Sequence, residues 1–253
     1  MRSSLLPNLC KAVVKNERYF NEFSIFETAQ VFRDENYTSP YDEREKLPSQ
    51  RKNVAGAFAT TDKDITALFR KAKGVVEMMA RYVHMETLTF RQTEKPVWAD
   101  NVVWLNIYRG DEKVGDLALL AKKVSMACGI KNLNVMLFQL DQDSLVPLKS
   151  RTNTFTHLAE YPMTDYDISL LVDGSVQWKD VAQTVRGIKS ELLHGAAFVD
   201  EYRGKQVPAG KKSLTLRLAI GSKDKTLTSA EIEEVASGVL NKIAKRFGAE
   251  LRR

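Results

Sequence analysis

Asp200 to Ile220 reads DEYRGKQVPAGKKSLTLRLAI. In its second half Leu214, Leu216, Leu218 and Ile220 alternate with Ser213, Thr215 and Arg217, the period of a strand with one buried face. Just before it, Gly204, Pro208 and Gly210 supply turn residues, and AAFVDEYRG (196–204) is short and rich in strand formers. Two strands therefore meet at a hairpin. Its tip gathers Arg203, Lys205, Lys211 and Lys212, where none can serve a core.

Outward from the hairpin the pattern continues. YDISLLVD (166–173) alternates Ile168, Leu170 and Val172 against Asp167, Ser169 and Leu171, a further strand. SVQWKDVAQTVRGI (175–188) places Val176, Val181, Val185 and Ile188 at helical spacing, with Ser175 as the expected cap. TSAEIEEVASGVLNKIAKRFG (228–248) is an amphipathic helix. Thr228 and Glu231 form its capping box, Ile232, Val235, Val239 and Ile243 its apolar stripe, and Gly248 its stop. AELRR (249–253) reads as a last short strand. The order β-α-β-β-α-β predicts a ferredoxin-like unit, four antiparallel strands backed by two helices.

The stretch from Asp141 to Pro162 has two prolines and no sustained period, so a boundary is expected there. The division predicted is 1–145, a linker at 146–160, and 161–253. Upstream, LPNLCKAVVKNERYF (6–20) reads as a helix and EFSIFETAQVF (22–32) as a strand. VAGAFA (54–59) is a second strand. ITALFRKAKGVVEMMARYV (65–83) is a helix with Leu68, Val75, Val76 and Met79 on one face. VVWLNIY (102–108) and NVMLFQL (134–140) read as buried strands, and DENYTSPYDEREKLPSQ (34–50) as an exposed loop. The whole is α+β, with an antiparallel sheet in the first part.

Composition narrows the chemistry. The 253 residues are 43% hydrophobic and 28% charged, enough apolar material for one or two cored domains. No apolar run approaches the ~18 residues that would span a bilayer, and the start lacks a signal-peptide layout. Cys10 and Cys128 are too few for a disulfide framework or a cysteine-rich metal site, and read as free buried thiols in a reducing compartment. His84, His157 and His194 are scattered, so no metal is expected. Glu233 and Glu234 read as a solvated helix face, Trp98 and Trp104 as core or interface aromatics, and Met78 and Met79 as core filling. From Arg203 to Lys225 seven cations face Asp224 alone; seven minus one equals the net +6 of the whole chain. The positive charge is thus concentrated at the hairpin and just beyond it, which permits nucleic-acid binding.

Longer motifs point to a family. YPMTDYDISLLVD, FVDEYRGKQVPAGKKSLTLRL, KTLTSAEIEEV and FGAELR resemble the ferredoxin-fold anticodon-binding domain that closes the β subunit of bacterial phenylalanyl-tRNA synthetase. Tyr166 departs from it, standing where the family usually carries Arg. MRSSLLPNLCKAVVKN and FSIFETAQVFRDE resemble the preceding domain of that subunit, a copy of the class II synthetase core, with a departure at EKPVWADNVVW (94–104). Met1 matches an internal methionine of the longer subunit, so a C-terminal piece of it is expected.

A class II adenylating site needs two arginines to place and neutralise a triphosphate. Arg33 resembles the first. The second should follow a glycine-spaced strand, and no Gly-x-Gly-x-Gly occurs. The residues therefore predict no catalytic site, with Arg33 at a surface or subunit contact. The resemblance agrees: it implies a silent copy docked on an active α subunit, with ATP and magnesium used by the heterotetrameric holoenzyme. For the second unit it implies phenylalanine tRNA as partner, bound in its anticodon region, in the cytoplasm, with no membrane or DNA partner. Phe198, Asp200 and Tyr202, two apart on one strand, are expected to share a side, with the alternative that Phe198 or Tyr202 faces the helices. There the rings would stack bases while Asp200 accepts base N–H groups and Arg203, Lys205, Lys211, Lys212 and Arg217 follow phosphates. The alternative reading is a stand-alone RNA-binding or assembly protein built from the same two domains.

Overall fold

The computed structural model describes residues 2–38, 46–82, 87–145 and 161–252. The chain divides into two compact units, Met1–Asn153 and Thr154–Arg253. The linker expected at 146–160, His84 and His157 lie outside the described residues.

The first unit runs α1 (Leu6–Glu17), β1 (Glu22–Thr38), β2 (Lys46–Thr60), α2 (Ile65–Tyr82), β3 (Thr89–Arg91), β4 (Ala99–Arg109), β5 (Glu112–Leu120), α3 (Lys122–Cys128) and β6 (Asn134–Asp141). Its six strands form one sheet in the order β1-β2-β6-β5-β4-β3, every ladder antiparallel. Residues 55–60 of β2 are all buried, because helices cover both faces of the sheet at that point. On one face α1 packs Leu6, Leu9, Cys10 and Val13 against Ala55, Ala57 and Leu137. On the other, α2 packs Leu68, Ala72, Val76 and Ala80 against Phe58, Met136 and Phe138.

Several expectations for this unit are corrected. The buried stripe of α2 advances in steps of four, which leaves Val75 and Met78 exposed and Met79 at the margin. The loop expected at 34–50 is largely hairpin: after an irregularity between Arg33 and Asn36, pairing resumes as far as Thr38 opposite Lys46. Pro48 is accommodated beside that irregularity, where a missing ladder N–H costs least. In β4, Val102 is exposed, where a register irregularity between Ala99 and Trp104 interrupts pairing with β5. Trp98 packs against the α1 core and Trp104 is half-buried.

The second unit runs β7 (Thr164–Asp173), α4 (Trp178–Arg186), β8 (Leu193–Tyr202), β9 (Lys211–Ile220), α5 (Ser229–Phe247) and β10 (Glu250–Leu251). The sheet order β10-β7-β9-β8 puts the hairpin's second strand in the interior and completes the ferredoxin-like pattern. Leu214, Leu216, Leu218 and Ile220 are fully buried. They meet Ile168, Leu170 and Val172 from β7, Val181 and Val185 from α4, and Ala236, Val239 and Ile243 from α5. Gly248 ends α5 in the left-handed region at φ 62°, its N–H donating to the Ala244 carbonyl. Ser175 does not cap α4. Gln177 holds that position, and Ser175 donates its N–H and hydroxyl to Asp173 Oδ1 in the turn leaving β7.

The cap of α5 is the expected box: Thr228 Oγ1 accepts from the Glu231 N–H while the Glu231 carboxylate accepts from the Thr228 N–H. Thr228→Ala should therefore cost about 1 kcal/mol of stability, readable by urea unfolding. Hydrogen bonds from Lys225, then from the Thr228 N–H and hydroxyl, lower the Glu231 carboxyl to about 2. Because the folded-state value lies below the unfolded one, this contribution is complete above about pH 4.5 and is lost as pH falls towards 2. Glu231→Gln should flatten that part of the acid-unfolding curve.

Candidate nucleic-acid interface

Helices α4 and α5 cover one face of the second sheet and leave the other open. Directly opposed residues of an antiparallel pair point to the same face. Thr215 and Arg217, lying between the buried leucines of β9, therefore mark the open face, together with their partners Ser169 and Asp167 on β7. The Ser169 and Thr215 hydroxyls hydrogen-bond at 2.9 Å in its middle.

Strand β8 does not keep the simple alternation. Phe198 opposes Leu216, and the next matched pair is Asp200 with Thr215, so Val199 is an extra residue in a β-bulge. The bulge separates three residues expected to share a side. Asp200 and Tyr202 face the open side with Thr215 and Ser213. Phe198 lies on the helix side, its ring 5.8 Å from that of Trp178 on α4 in an edge-on contact. Its expected place among base-stacking rings is thereby corrected.

The cations are not bare. Arg217 donates from Nε and Nη2 to the two carboxylate oxygens of Asp167 at 2.7 and 2.8 Å, with Asp165 3.5 Å away. This fork holds the Asp167 carboxyl below its usual range and raises Arg217 above its own. Lys211 pairs with Glu250 at 3.2 Å. Arg203 pairs with Glu201 and also donates to the Gly174 carbonyl. Lys212 is 4% exposed and bound to Glu201 at 2.8 Å. Burial pushes the Glu201 carboxyl up, but hydrogen bonds from Lys212 and Arg203 outweigh it and hold the group low. Lys212 is thus a structural cation, which corrects its expected contact with phosphate. Lys205 is exposed and has no carboxylate partner among the described residues.

Two features escaped the sequence reading. One is Arg252, just past β10, whose guanidinium lies 5.3 Å from the Tyr202 ring centroid and donates to Gln206 Oε1 at 3.0 Å. The other is the set of counterions. Around the hairpin and open face stand Arg203, Lys205, Lys211, Lys212, Arg217 and Arg252, against Asp165, Asp167, Asp173, Asp200, Glu201 and Glu250. Six against six leaves no net charge, so this is not a simple basic patch. It offers a flat ring, guanidinium groups that can trade a carboxylate for a phosphate, and Asp200 as an acceptor for donors on a base edge.

In the first unit Arg33 pairs with Asp141 at 2.9 Å beside a polar cavity of about 270 Å³ lined also by Asn53, Asp116 and Gln139. Among the described residues no group of three or more His, Cys, Asp or Glu could hold a metal ion. No helix among them is long and apolar enough to cross a membrane.

Residues 159–252 match the family model described as the ferredoxin-fold anticodon binding domain, which sets the class of the second unit as a module of that domain type. Residues 1–142, more than half of the chain, match the model of the phenylalanyl tRNA synthetase beta chain CLM domain, and the chain belongs to that family. Among curated relatives, the phenylalanine–tRNA ligase beta subunit of Syntrophus aciditrophicus is 25% identical over 260 residues, covering 100% of this chain and 31% of the relative. That of Rhodopseudomonas palustris is 27% identical over 263 residues, covering 100% and 32%. The chain thus spans about a third of the length of the curated relatives it matches. Among solved structures, a pyrrolysyl tRNA synthetase of Desulfitobacterium hafniense aligns over 58% of this chain and 49% of its own, at 14% identity and a TM-score of 0.46.

Proposed function

We propose that this chain is a tRNA-binding and structural part of a phenylalanine–tRNA ligase β subunit. In this reading the second unit grips the anticodon region of phenylalanine tRNA. The first, residues 1–145, docks on an α subunit that joins phenylalanine to the tRNA with ATP and magnesium, in a cytoplasmic heterotetramer. The observation that carries it is the open sheet face bearing Asp200 and Tyr202 side by side, in a unit that matches an anticodon-binding model. Unpaired loop bases present a π-face and a hydrogen-bonding edge together, and a ring beside an acceptor suits both. Tyr202 supplies the ring and Asp200 the acceptor, while Arg203, Lys205, Lys211 and Arg217 hold the backbone.

For the first unit, the Arg33–Asp141 pair and the missing second arginine support a non-catalytic role. Purified chain should support no phenylalanine-dependent pyrophosphate exchange. Filter binding of phenylalanine tRNA, with a mismatched-anticodon control, tests the RNA reading: the cognate tRNA should bind more tightly, and equal binding of both would refute it.

The paired cations make a separate prediction. Lys211→Met should reduce the dependence of log affinity on log salt by about 0.7, the loss of one phosphate contact on a single strand. Lys212→Met should leave that slope unchanged and alter stability by no more than about 1 kcal/mol, because an apolar chain of similar length fills the site and Arg203 still pairs Glu201. Equal slopes for the two variants would refute the division of roles.

A further inference from the structure

Asn53, on β2 of the first unit, is 3% exposed, and its side-chain oxygen has no hydrogen-bond partner among the described residues. A buried amide left unpaired costs stability that a partner would recover. Along β2, Ala55 and Ala57 share its face and pack under α1. At Asn53 that apolar row ends. Asp141 opposes it on β6, and Gln139, two residues from Asp141 on the same face, opposes Asp116 on β5. All four line the cavity of about 270 Å³ beside Arg33. The charged walls are already paired: Arg33 with Asp141 at 2.9 Å, and Lys113 with Asp116 at 3.0 Å. Gln139 Oε1 accepts from Ser4 Oγ and the Leu5 N–H at 2.8 and 2.9 Å, so the capacity it has left is its amide N–H pair.

We propose that this cavity is a binding site for a small neutral polyol, of monosaccharide size, held by the Asn53 and Gln139 amides between the two ion pairs. The pairs set the charge of the ligand. An ionic solute would have to break one of them or leave its own charge unbalanced, and an apolar one would leave Asn53 unpaired. A hydroxyl both donates and accepts, so a polyol answers the Asn53 oxygen and the Gln139 N–H groups together. Trp98 lines the same cavity and offers apolar surface to a carbon ring. The size of the ligand follows from the volume, which lies near the lower end of the about 300–1,000 Å³ of small-molecule sites.

The test is a saturation-transfer NMR titration of the full chain with D-glucose and myo-inositol as neutral probes, and with glucuronate and N-methylglucamine as charged ones. At least one neutral probe should bind saturably, with a Kd of about 1 mM or tighter. Each charged probe should bind at least about tenfold more weakly, because its charge finds no unpaired partner. Asn53→Leu should abolish binding of the neutral probe while the protein unfolds at the same or a higher temperature, since a leucine of similar size needs no hydrogen bond. Asn53→Ala serves as the second variant should the branched chain not fit, with the same loss of binding. No saturable binding of either neutral probe, tighter binding of a charged one, or unchanged binding in a folded Asn53 variant would overturn the proposal.

Discussion

Tyr202→Ala is expected to weaken binding of phenylalanine tRNA about 5- to 100-fold, since stacking one base on an aromatic ring is worth ~1–3 kcal/mol. The variant should fold normally. Tyr202 stands on the open face of an edge strand, 40% exposed, and the buried core lies on the opposite face. Phe198→Ala provides the contrast. Its ring packs on Trp178 at the helix side, so the change should lower stability and leave the affinity of the folded fraction nearly intact. Asp200→Asn should act in a third way. An amide keeps one acceptor and gains donors, so total affinity is spared while the preference for the cognate anticodon narrows. Filter binding of the three variants, corrected for folded fraction, separates these roles. Equal losses for Tyr202→Ala and Phe198→Ala would show that the bulge does not divide the strand's two faces as described.

The other large effect concerns the core beneath that face. Leu216→Ala should destabilise the second unit by about 2–5 kcal/mol. The side chain is fully buried on the central strand β9, between β7 and β8, with helices above it. Collapse around the cavity is limited because neighbours on both sides are tied by ladders. Hydrogen exchange of the β9 and α5 amides reads the change without interference from the first unit. A loss below about 1 kcal/mol would mean that this packing is far looser than described.

Alternation was enough to find the strands of the second unit, because Leu214, Leu216, Leu218 and Ile220 cannot face water without losing the core, and helical spacing found its two helices. The same alternation also carried the signal for Lys212, whose even number places it with the buried leucines on β9; clustering it with Lys211 by charge overrode that parity. The bulge at Val199 was not legible. One unpaired residue leaves composition and local pattern unchanged, yet it moves Phe198 to the face opposite Asp200. Nor were the counterions, because the meeting of Asp167 with Arg217 depends on register between strands far apart in sequence. Arg252 lay in a terminal run whose only sequence signal was a short strand, and its reach to Tyr202 follows from the sheet order. In the first unit β5, interrupted by Gly115, and the short α3 escaped for a related reason. Their residues are too few or too irregular to set a period, and the sheet supplies what their local pattern lacks.

The most direct measurement is photo-crosslinking of a phenylalanine tRNA anticodon stem-loop, with a photoreactive base in the loop, to the full chain, followed by peptide mapping. Adducts should fall on the peptides carrying Asp200, Tyr202 and Thr215, and should diminish in Tyr202→Ala. Adducts confined to α4, α5 or the first unit would contradict the assignment of the open sheet face as the RNA-binding surface.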